Sequence, residues 1–128
     1  MYKTLLTLSI YLSIGLSSSV VLAGTCVGGK EFTAKNGHEF CVSSTGMTWW
    51  AANVWCKNQG RELATLNQAC NNFIGSGNTS CPNVENAPQA AIWTATLASA
   101  TGAYHINPYN SAFSAWSRNS EAVAALCY

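Results

Sequence analysis

Residues 49–66 constrain the fold more than any other segment of this chain. Their first half has apolar side chains at spacings of three and four, which is the pattern of an amphipathic α-helix. One face of that helix would carry Trp49, Ala52 and Cys56. Thr48 is a preferred N-cap residue, and Gly60 is a preferred residue just beyond a helix C-terminus. The segment therefore predicts a helix that packs against a sheet and is tied through a cysteine to a distant part of the chain.

Two further tryptophans of this helix, Trp50 and Trp55, lie outside its apolar face. A small domain can hardly bury all three indoles of one helix, so two interpretations stay open. The indoles can cover neighbouring loops of the same domain. Alternatively, one of them can be exposed as a docking surface for a partner chain or for an oligomer.

Residues 1–23 resemble a secretory signal peptide. They begin with one charge at Lys3, continue as an apolar run and end in small residues at Ala23. Cleavage there would leave residues 24–128 as one domain with no membrane span, secreted or periplasmic, or held at the cell surface. An uncleaved membrane anchor is the alternative, because the apolar run is about long enough to cross a bilayer.

All six cysteines lie beyond this leader, and an even number in a secreted chain predicts disulfides. The spacing favours three pairs. Cys26 and Cys41 would bracket a hairpin, and Cys70 and Cys81 would bracket a polar loop. The helix cysteine, Cys56, is then left to pair with Cys127 at the C-terminus. Zinc is the alternative, but no C-x-x-C pair is present, so we expect no metal.

The charge balance argues against several classes of partner. Residues 24–128 carry five basic and five acidic side chains, because the sixth basic residue is Lys3, and aspartate is absent from the chain. Binding of nucleic acid requires a basic surface for phosphate, and an anionic membrane makes the same demand. We therefore expect neither partner and no cofactor. The many asparagines and aromatic residues suit a neutral polar ligand instead.

The remaining segments predict an α+β domain in the order hairpin, helix, helix and strands. Asn36-Gly37 between two apolar runs is a strong hairpin signal. Residues 67–74 predict a second short helix, capped by Thr65 or Asn67. The predicted strands are residues 90–96, residues 104–106, residues 122–127 and, unless they form an irregular loop, residues 113–118.

Residues 49–66 also fit the pattern W-x-x-A-x-x-x-C-x-x-x-G-x-x-L-A-T, which resembles the first helix and following segment of C-type-lectin-like domains. The order of elements is similar to the long form of that family, which has an N-terminal hairpin disulfide. The resemblance covers nearly all of residues 24–128. It implies a C-type-lectin-like fold with an N-terminal hairpin, two helices and a small antiparallel sheet, stapled by disulfides. In it, Cys56 and Cys127 would join the helix to the last strand.

Two departures from the family bear on function. The calcium-dependent sugar binders carry Glu-Pro-Asn or Gln-Pro-Asp and Trp-Asn-Asp as oxygen ligands. Here neither Glu-Pro-Asn nor Gln-Pro-Asp occurs. The nearest match to Trp-Asn-Asp is residues 116–119, which place Arg118 where a calcium ligand would lie. The pair Cys70 and Cys81 also differs from the family's inner disulfide. The chain thus resembles the compact, calcium-free branch of the family, which includes bacterial adhesin tips.

The segment from Tyr104 to Asn119 is the candidate ligand surface, because the resemblance places it where ligand loops emerge. Aromatic faces stack on sugar rings or fill protein pockets, and asparagine amides both donate and accept hydrogen bonds. The candidate residues are Tyr104, His105, Asn107, Tyr109, Asn110, Trp116, Arg118 and Asn119. The alternative is a polar loop whose aromatic side chains cover the core.

We expect a binding protein rather than an enzyme. No nucleophile motif is present, and nothing in the sequence brings two glutamates together as a glycosidase would need. His38 is expected to be an exposed turn residue, and His105 an ordinary strand residue. The expected function is calcium-independent recognition of a glycan or a surface protein, as in adhesion. The alternative is an accessory subunit that docks on a larger extracellular assembly through Trp50 and Trp55.

Overall fold

The computed structural model describes residues 24–70 and 80–128 as an α+β domain with one six-stranded mixed sheet, two α-helices and three disulfides. The predicted signal peptide lies outside the described residues, as does most of the loop between Cys70 and Cys81. The elements in chain order are β1 (Gly29–Thr33), β2 (Glu39–Gly46), α1 (Trp49–Asn58), α2 (Leu66–Cys70), a 3-10 turn (Pro82–Val84), β3 (Ile92–Leu97), β4 (Gly102–Asn107), β5 (Ala112–Ser117) and β6 (Ala124–Cys127).

The predicted N-terminal hairpin is confirmed. Strands β1 and β2 pair in an antiparallel register that places Phe32 opposite Phe40. Gly37 in the connecting turn has a φ of 85°, a conformation that glycine adopts without steric cost. The disulfide between Cys26 and Cys41 ties the chain before β1 to β2.

The sheet has the strand order β1-β2-β6-β3-β4-β5, and it is mixed rather than antiparallel. This corrects the expectation of a small antiparallel sheet. Strand β6 pairs antiparallel with β2 but parallel with β3, with Ala124 level with Ile92. Strand β5 runs in the same direction as β3 and ends at Ser117, which pairs with Gly102 beside the end of β3. Residues 118–123 then lead the chain back to the start of β3, where β6 begins. Such a crossover connection allows β6 to run parallel to β3.

Helix α1 covers one face of the sheet. Thr48 is its N-cap, and its hydroxyl accepts a hydrogen bond from the backbone N–H of Ala51 at 3.2 Å. Gly60, with a φ of 69°, follows the helix C-terminus as predicted. Cys56 is fully buried and forms the predicted disulfide with Cys127 in β6. The helix is therefore held to the centre of the sheet by a covalent bond.

The other face of the sheet packs against α2 and the 3-10 turn. Its buried side chains include Phe40, Val42, Ile92, Ile106 and Leu126. The α1 face has a separate core that includes Trp93, Ala103, Cys41, Cys56 and Cys127. Because β-strand side chains alternate between faces, neighbouring residues of one strand belong to different cores. This alternation determines which of the predicted ligand residues lie on the same face of the sheet.

Helix α2 begins one residue earlier than predicted, and its cap is Thr65. The hydroxyl of Thr65 accepts from the N–H of Gln68 at 3.0 Å, while the Gln68 carboxamide accepts from the Thr65 N–H at 2.9 Å. This reciprocal pair is a capping box. The third predicted disulfide, between Cys70 and Cys81, joins the end of α2 to the start of the 3-10 turn. None of the helices in the described ranges is long and apolar enough to cross a membrane.

Candidate functional site

The eight predicted ligand residues do not converge on one cleft. Tyr104 and His105 are neighbours in β4 and lie on opposite faces of the sheet. Tyr104 packs edge-to-face against Phe113 at 5.7 Å, beside the α2 core. His105 is 4% exposed and lies on the α1 face, where it contacts Trp93 and Trp116.

The turn between β4 and β5 holds three of the eight residues at one end of the hairpin. The side-chain oxygen of Asn107 accepts from the N–H of Tyr109, and that of Asn110 accepts from the N–H of Ala112, each at 3.0 Å. Both asparagines therefore form the turn rather than offer free amide oxygens. Tyr109 is 79% exposed at this turn.

Trp116, Arg118 and Asn119 lie at the opposite end of the β4–β5 hairpin. Gly102 pairs with Ser117 at this end, whereas Asn107 pairs with Ala112 at the other. Strands of this length separate their two ends by about 17 Å. A ligand of one or two sugar rings could not contact Tyr109 and Trp116 together.

Arg118 connects the predicted ligand residues to the predicted docking residues of α1. Its guanidinium carbon lies 4.5 Å from the centre of the Trp50 ring and 5.4 Å from that of Trp49. The backbone carbonyl of Arg118 accepts from the N–H of Trp49 at 3.0 Å, and its guanidinium donates to the carbonyl of Ala100. The Nε of Arg118 is buried and has no hydrogen-bond partner in the described part of the chain. The start of α1 and the end of β5 are thus one continuous surface.

Trp116 forms the second aromatic element on this side of the sheet. Its ring lies 4.0 Å from the His105 ring, centre to centre, and the side chain remains 43% exposed. The Nε2 of His105 shares a hydrogen bond of 3.3 Å with the hydroxyl of Ser114. Its Nδ1 is buried and has no partner among the described residues. Burial lowers the pKa of His105, because a charged imidazole would lose its solvation there.

We call the exposed Trp50 and Trp116 and the partly buried Arg118 the aromatic surface, because Arg118 contacts Trp50 and lies two residues after Trp116. Trp50 is 51% exposed and its ring lies beside the Arg118 guanidinium, whereas the 43% exposed Trp116 lies against the His105 ring. The Trp49 indole belongs to the support of this surface, since its N–H donates to the carbonyl of Thr94 at 2.9 Å. Flat apolar rings next to a fork of donors can stack on a sugar ring or hold an aromatic or carboxylate side chain of a protein.

An apolar groove of about 520 Å³ runs along the outer side of α1. It is lined by Met47, Trp50, Val54 and Trp55, and Val54 is 58% exposed. Trp55 is half-buried, because the rim of its indole lies against the backbone of Gly29. Trp55 therefore covers the N-terminal hairpin, as the first interpretation expects, and Trp50 is exposed, while a docking role for Trp50 stays a prediction.

A further cleft of about 630 Å³ lies at the C-terminal end of α1, and sequence analysis missed it. His38 and Tyr128 stack in its wall with ring centres 3.9 Å apart. Glu39 and Glu62 also line it, although the sequence did not bring two glutamates together. No local pattern could reveal this cleft, because it assembles residues from the N-terminal hairpin, the C-terminal end of α1, the middle of α2 and the position after β6.

Residues 24–70 and 80–128 contain no group of three histidine, cysteine or acidic side chains placed to hold a metal ion. No known protein-family model matches the chain, and no curated protein matches it either. The function must therefore be argued from the geometry of its own residues.

Proposed function

We propose that the chain is a calcium-independent binding module of C-type-lectin-like fold that recognises a glycan or a surface protein through the aromatic surface. In this proposal it acts outside the cytoplasm, as an adhesin-like domain, and it is not an enzyme. The observation that carries the proposal is the position of Arg118, whose guanidinium lies 4.5 Å from the ring of a half-exposed Trp50.

The fold assignment is supported by covalent connections that the family resemblance implies. One disulfide closes the N-terminal hairpin, and another joins α1 to the last strand. The two disulfides meet at the sheet, since Cys41 and Cys127 are fully buried partners in neighbouring strands, whereas Cys26 is partly buried. Helix α1, its cap and the glycine beyond it also follow the sequence pattern that carries the resemblance.

The ligand class is supported by the chemistry of the aromatic surface. Indole faces favour contact with the C–H faces of sugar rings or with aromatic side chains, and a guanidinium adds directional donors. Among the described residues, the Arg118 guanidinium donates one hydrogen bond, to the carbonyl of Ala100, so terminal N–H groups of its five-donor fork are left for a ligand. Oxygen ligands for calcium are not grouped on this surface, since its single charged group is a cation.

A glycan array probed with the purified, oxidised protein tests this proposal. Parallel arrays in calcium and in EDTA should give the same bound glycans with the same intensities. Binding that EDTA abolishes would contradict calcium independence. A silent array would remove the glycan branch, and a screen against surface proteins would then decide the remaining one.

A second candidate function is an accessory subunit that docks on a larger extracellular assembly through α1. The groove beside Trp50 and Val54 favours it, because an exposed apolar strip on a helix suits a partner surface. Val54→Glu separates the two functions, since Val54 lines the groove and is not a member of the aromatic surface. This variant should retain ligand binding if the aromatic surface acts alone, and it should lose assembly with a partner if the groove is the docking site.

A further inference from the structure

We propose a second binding site, separate from the aromatic surface, in the cleft at the C-terminal end of α1, and we infer that it takes a neutral saccharide. The cleft volume of about 630 Å³ suffices for a ligand of one or two sugar rings. It is bordered by Lys57 in the last turn of α1 and by Gly60 beyond that helix, whereas Trp50 lies in its first turn. The rise of the helix places these residues about 10–15 Å from Trp50.

The wall of the cleft provides a fixed aromatic platform. His38 stacks on Tyr128 with an angle of 9° between their planes, and Phe40 packs edge-to-face against both rings. The backbone N–H of Tyr128 donates to the carbonyl of Glu62 at 2.8 Å, which fixes the start of its side chain. Tyr128 nevertheless remains 43% exposed. An aromatic ring that is held on one side and open on the other can accept the C–H face of a sugar.

Arg61 forms the structural base of the cleft. Its side chain is 10% exposed, and its three guanidinium nitrogens donate to the carbonyls of Gly24, Thr25 and Glu39 and to the carboxylate of Glu31. These four bonds use most of its five N–H donors within the protein, and the Glu31 carboxylate balances its charge. Arg61 therefore shapes the cleft, and the remaining side chains are the ones available to a ligand.

The charged side chains of the cleft other than Arg61 include both hydrogen-bond acceptors and donors. The carboxylates of Glu39 and Glu62 and the amine of Lys57 form no hydrogen bond or ion pair within residues 24–70 and 80–128. Carboxylates accept two hydrogen bonds at once, and vicinal sugar hydroxyls supply two donors. An ammonium group donates to hydroxyl oxygens in turn. This combination beside an aromatic platform matches a neutral polyhydroxyl ligand.

Charge discriminates against an anionic ligand, which would face the carboxylates of Glu39 and Glu62. Glycoside hydrolysis is also disfavoured, because a catalytic acid needs apolar surroundings, whereas Glu39 and Glu62 are exposed. The cleft is therefore a site of recognition in this proposal.

The test is an NMR titration of the purified, oxidised protein with four neutral disaccharides: maltose, lactose, mannobiose and chitobiose. At least one should shift the ring signals of His38 and Tyr128 and the amide signals of Gly60 and Gln68. Tyr128→Ala should weaken that binding about tenfold, as loss of a central aromatic contact does, whereas Tyr128→Phe should keep it within about threefold. Glu62→Gln, an exposed change outside the helices and strands, should weaken binding without disturbing the fold.

The controls separate this site from the aromatic surface. Trp116→Ala should leave the shifts at His38 and Tyr128 unchanged. The proposal is overturned if no disaccharide shifts these signals at concentrations well above millimolar, or if Tyr128→Ala and Glu62→Gln both bind like the wild type. It is also overturned if Trp116→Ala alone abolishes binding, and that result would leave the proposed function of the aromatic surface intact.

Discussion

The guanidinium of Arg118 lies against the ring of Trp50, with 4.5 Å between its central carbon and the ring centre. The contact joins the residue after β5 to the first turn of α1. A backbone hydrogen bond from the N–H of Trp49 to the carbonyl of Arg118 reinforces it at 3.0 Å. Two segments that the sequence predicts as separate functional regions are therefore parts of one surface.

The first prediction concerns this cation–π contact. Arg118→Ala should lower the free energy of unfolding by about 1 kcal/mol, because a partly exposed contact of this kind contributes that much. Arg118→Lys should lose less, since an ammonium keeps the charge but not the flat face. Chemical denaturation of both variants measures the difference. Equal stability of all three proteins would show that the contact has no energetic role.

The second prediction concerns the N-cap of α1. Thr48→Ala removes the hydroxyl that accepts from the Ala51 N–H and should destabilise the protein by about 1 kcal/mol. Thr48→Ser keeps the acceptor and is the matched control, expected close to the wild type. Thermal unfolding of the two variants is sufficient. A Ser variant as unstable as the Ala variant would assign the effect to the lost methyl group instead of the cap.

The third prediction compares two disulfides of different loop length. Cys56 and Cys127 are 71 positions apart, whereas Cys26 and Cys41 are 15 apart. Replacing the longer pair by alanines should cost about 4 kcal/mol and replacing the shorter pair about 3 kcal/mol, because a longer closed loop removes more entropy from the unfolded chain. Denaturant titrations of the two double variants provide the comparison. A larger loss from the shorter pair would contradict this ranking.

The fourth prediction concerns pH and His105. Burial lowers the pKa of this histidine in the folded protein below its ordinary value of 6.5. The unfolded chain therefore binds a proton first as the pH falls below about 6.5, and folding stability declines until the lower folded pKa is reached. Above the unfolded pKa the full contribution is present.

His105→Gln should remove this part of the pH dependence, and His38 is retained in both proteins as an internal control. The measurement is the free energy of unfolding at a series of pH values on each side of 6.5, the ordinary pKa of His105. A wild type and a His105→Gln variant with the same slope would show that His105 stays equally protonated in both states.

Local signals and covalent spacing predicted much of the fold. The hairpin turn at Asn36-Gly37, the cap at Thr48 and the glycine at position 60 each act within a few residues, so the sequence displays them directly. The three disulfides followed from spacing, because each of two pairs brackets a short loop and only one pair then remains. All three pairs are present in the structure.

Strand neighbours and the candidate sites were harder to predict, because they depend on contacts between distant segments. The parallel pairing of β3 with β6 follows from the crossover of residues 118–123, which has no sequence signature. The ligand residues were predicted from the family resemblance and from composition, neither of which specifies the face of the sheet, and the alternation of β4 places Tyr104 and His105 on opposite faces. His38 and Tyr128 are 90 positions apart, so no local pattern links them.

The most direct test of the central claim is the affinity, measured in EDTA, of four proteins for the strongest ligand of the array or protein screen. Trp50→Ala and Trp116→Ala should each weaken binding by at least about tenfold, since each removes an exposed indole from the aromatic surface. Tyr109→Ala, which removes an even more exposed ring at the far end of the β4–β5 hairpin, should bind like the wild type. Two results would contradict the claim that the ligand binds the aromatic surface. One is unchanged affinity in both tryptophan variants, and the other is loss of binding in Tyr109→Ala alone.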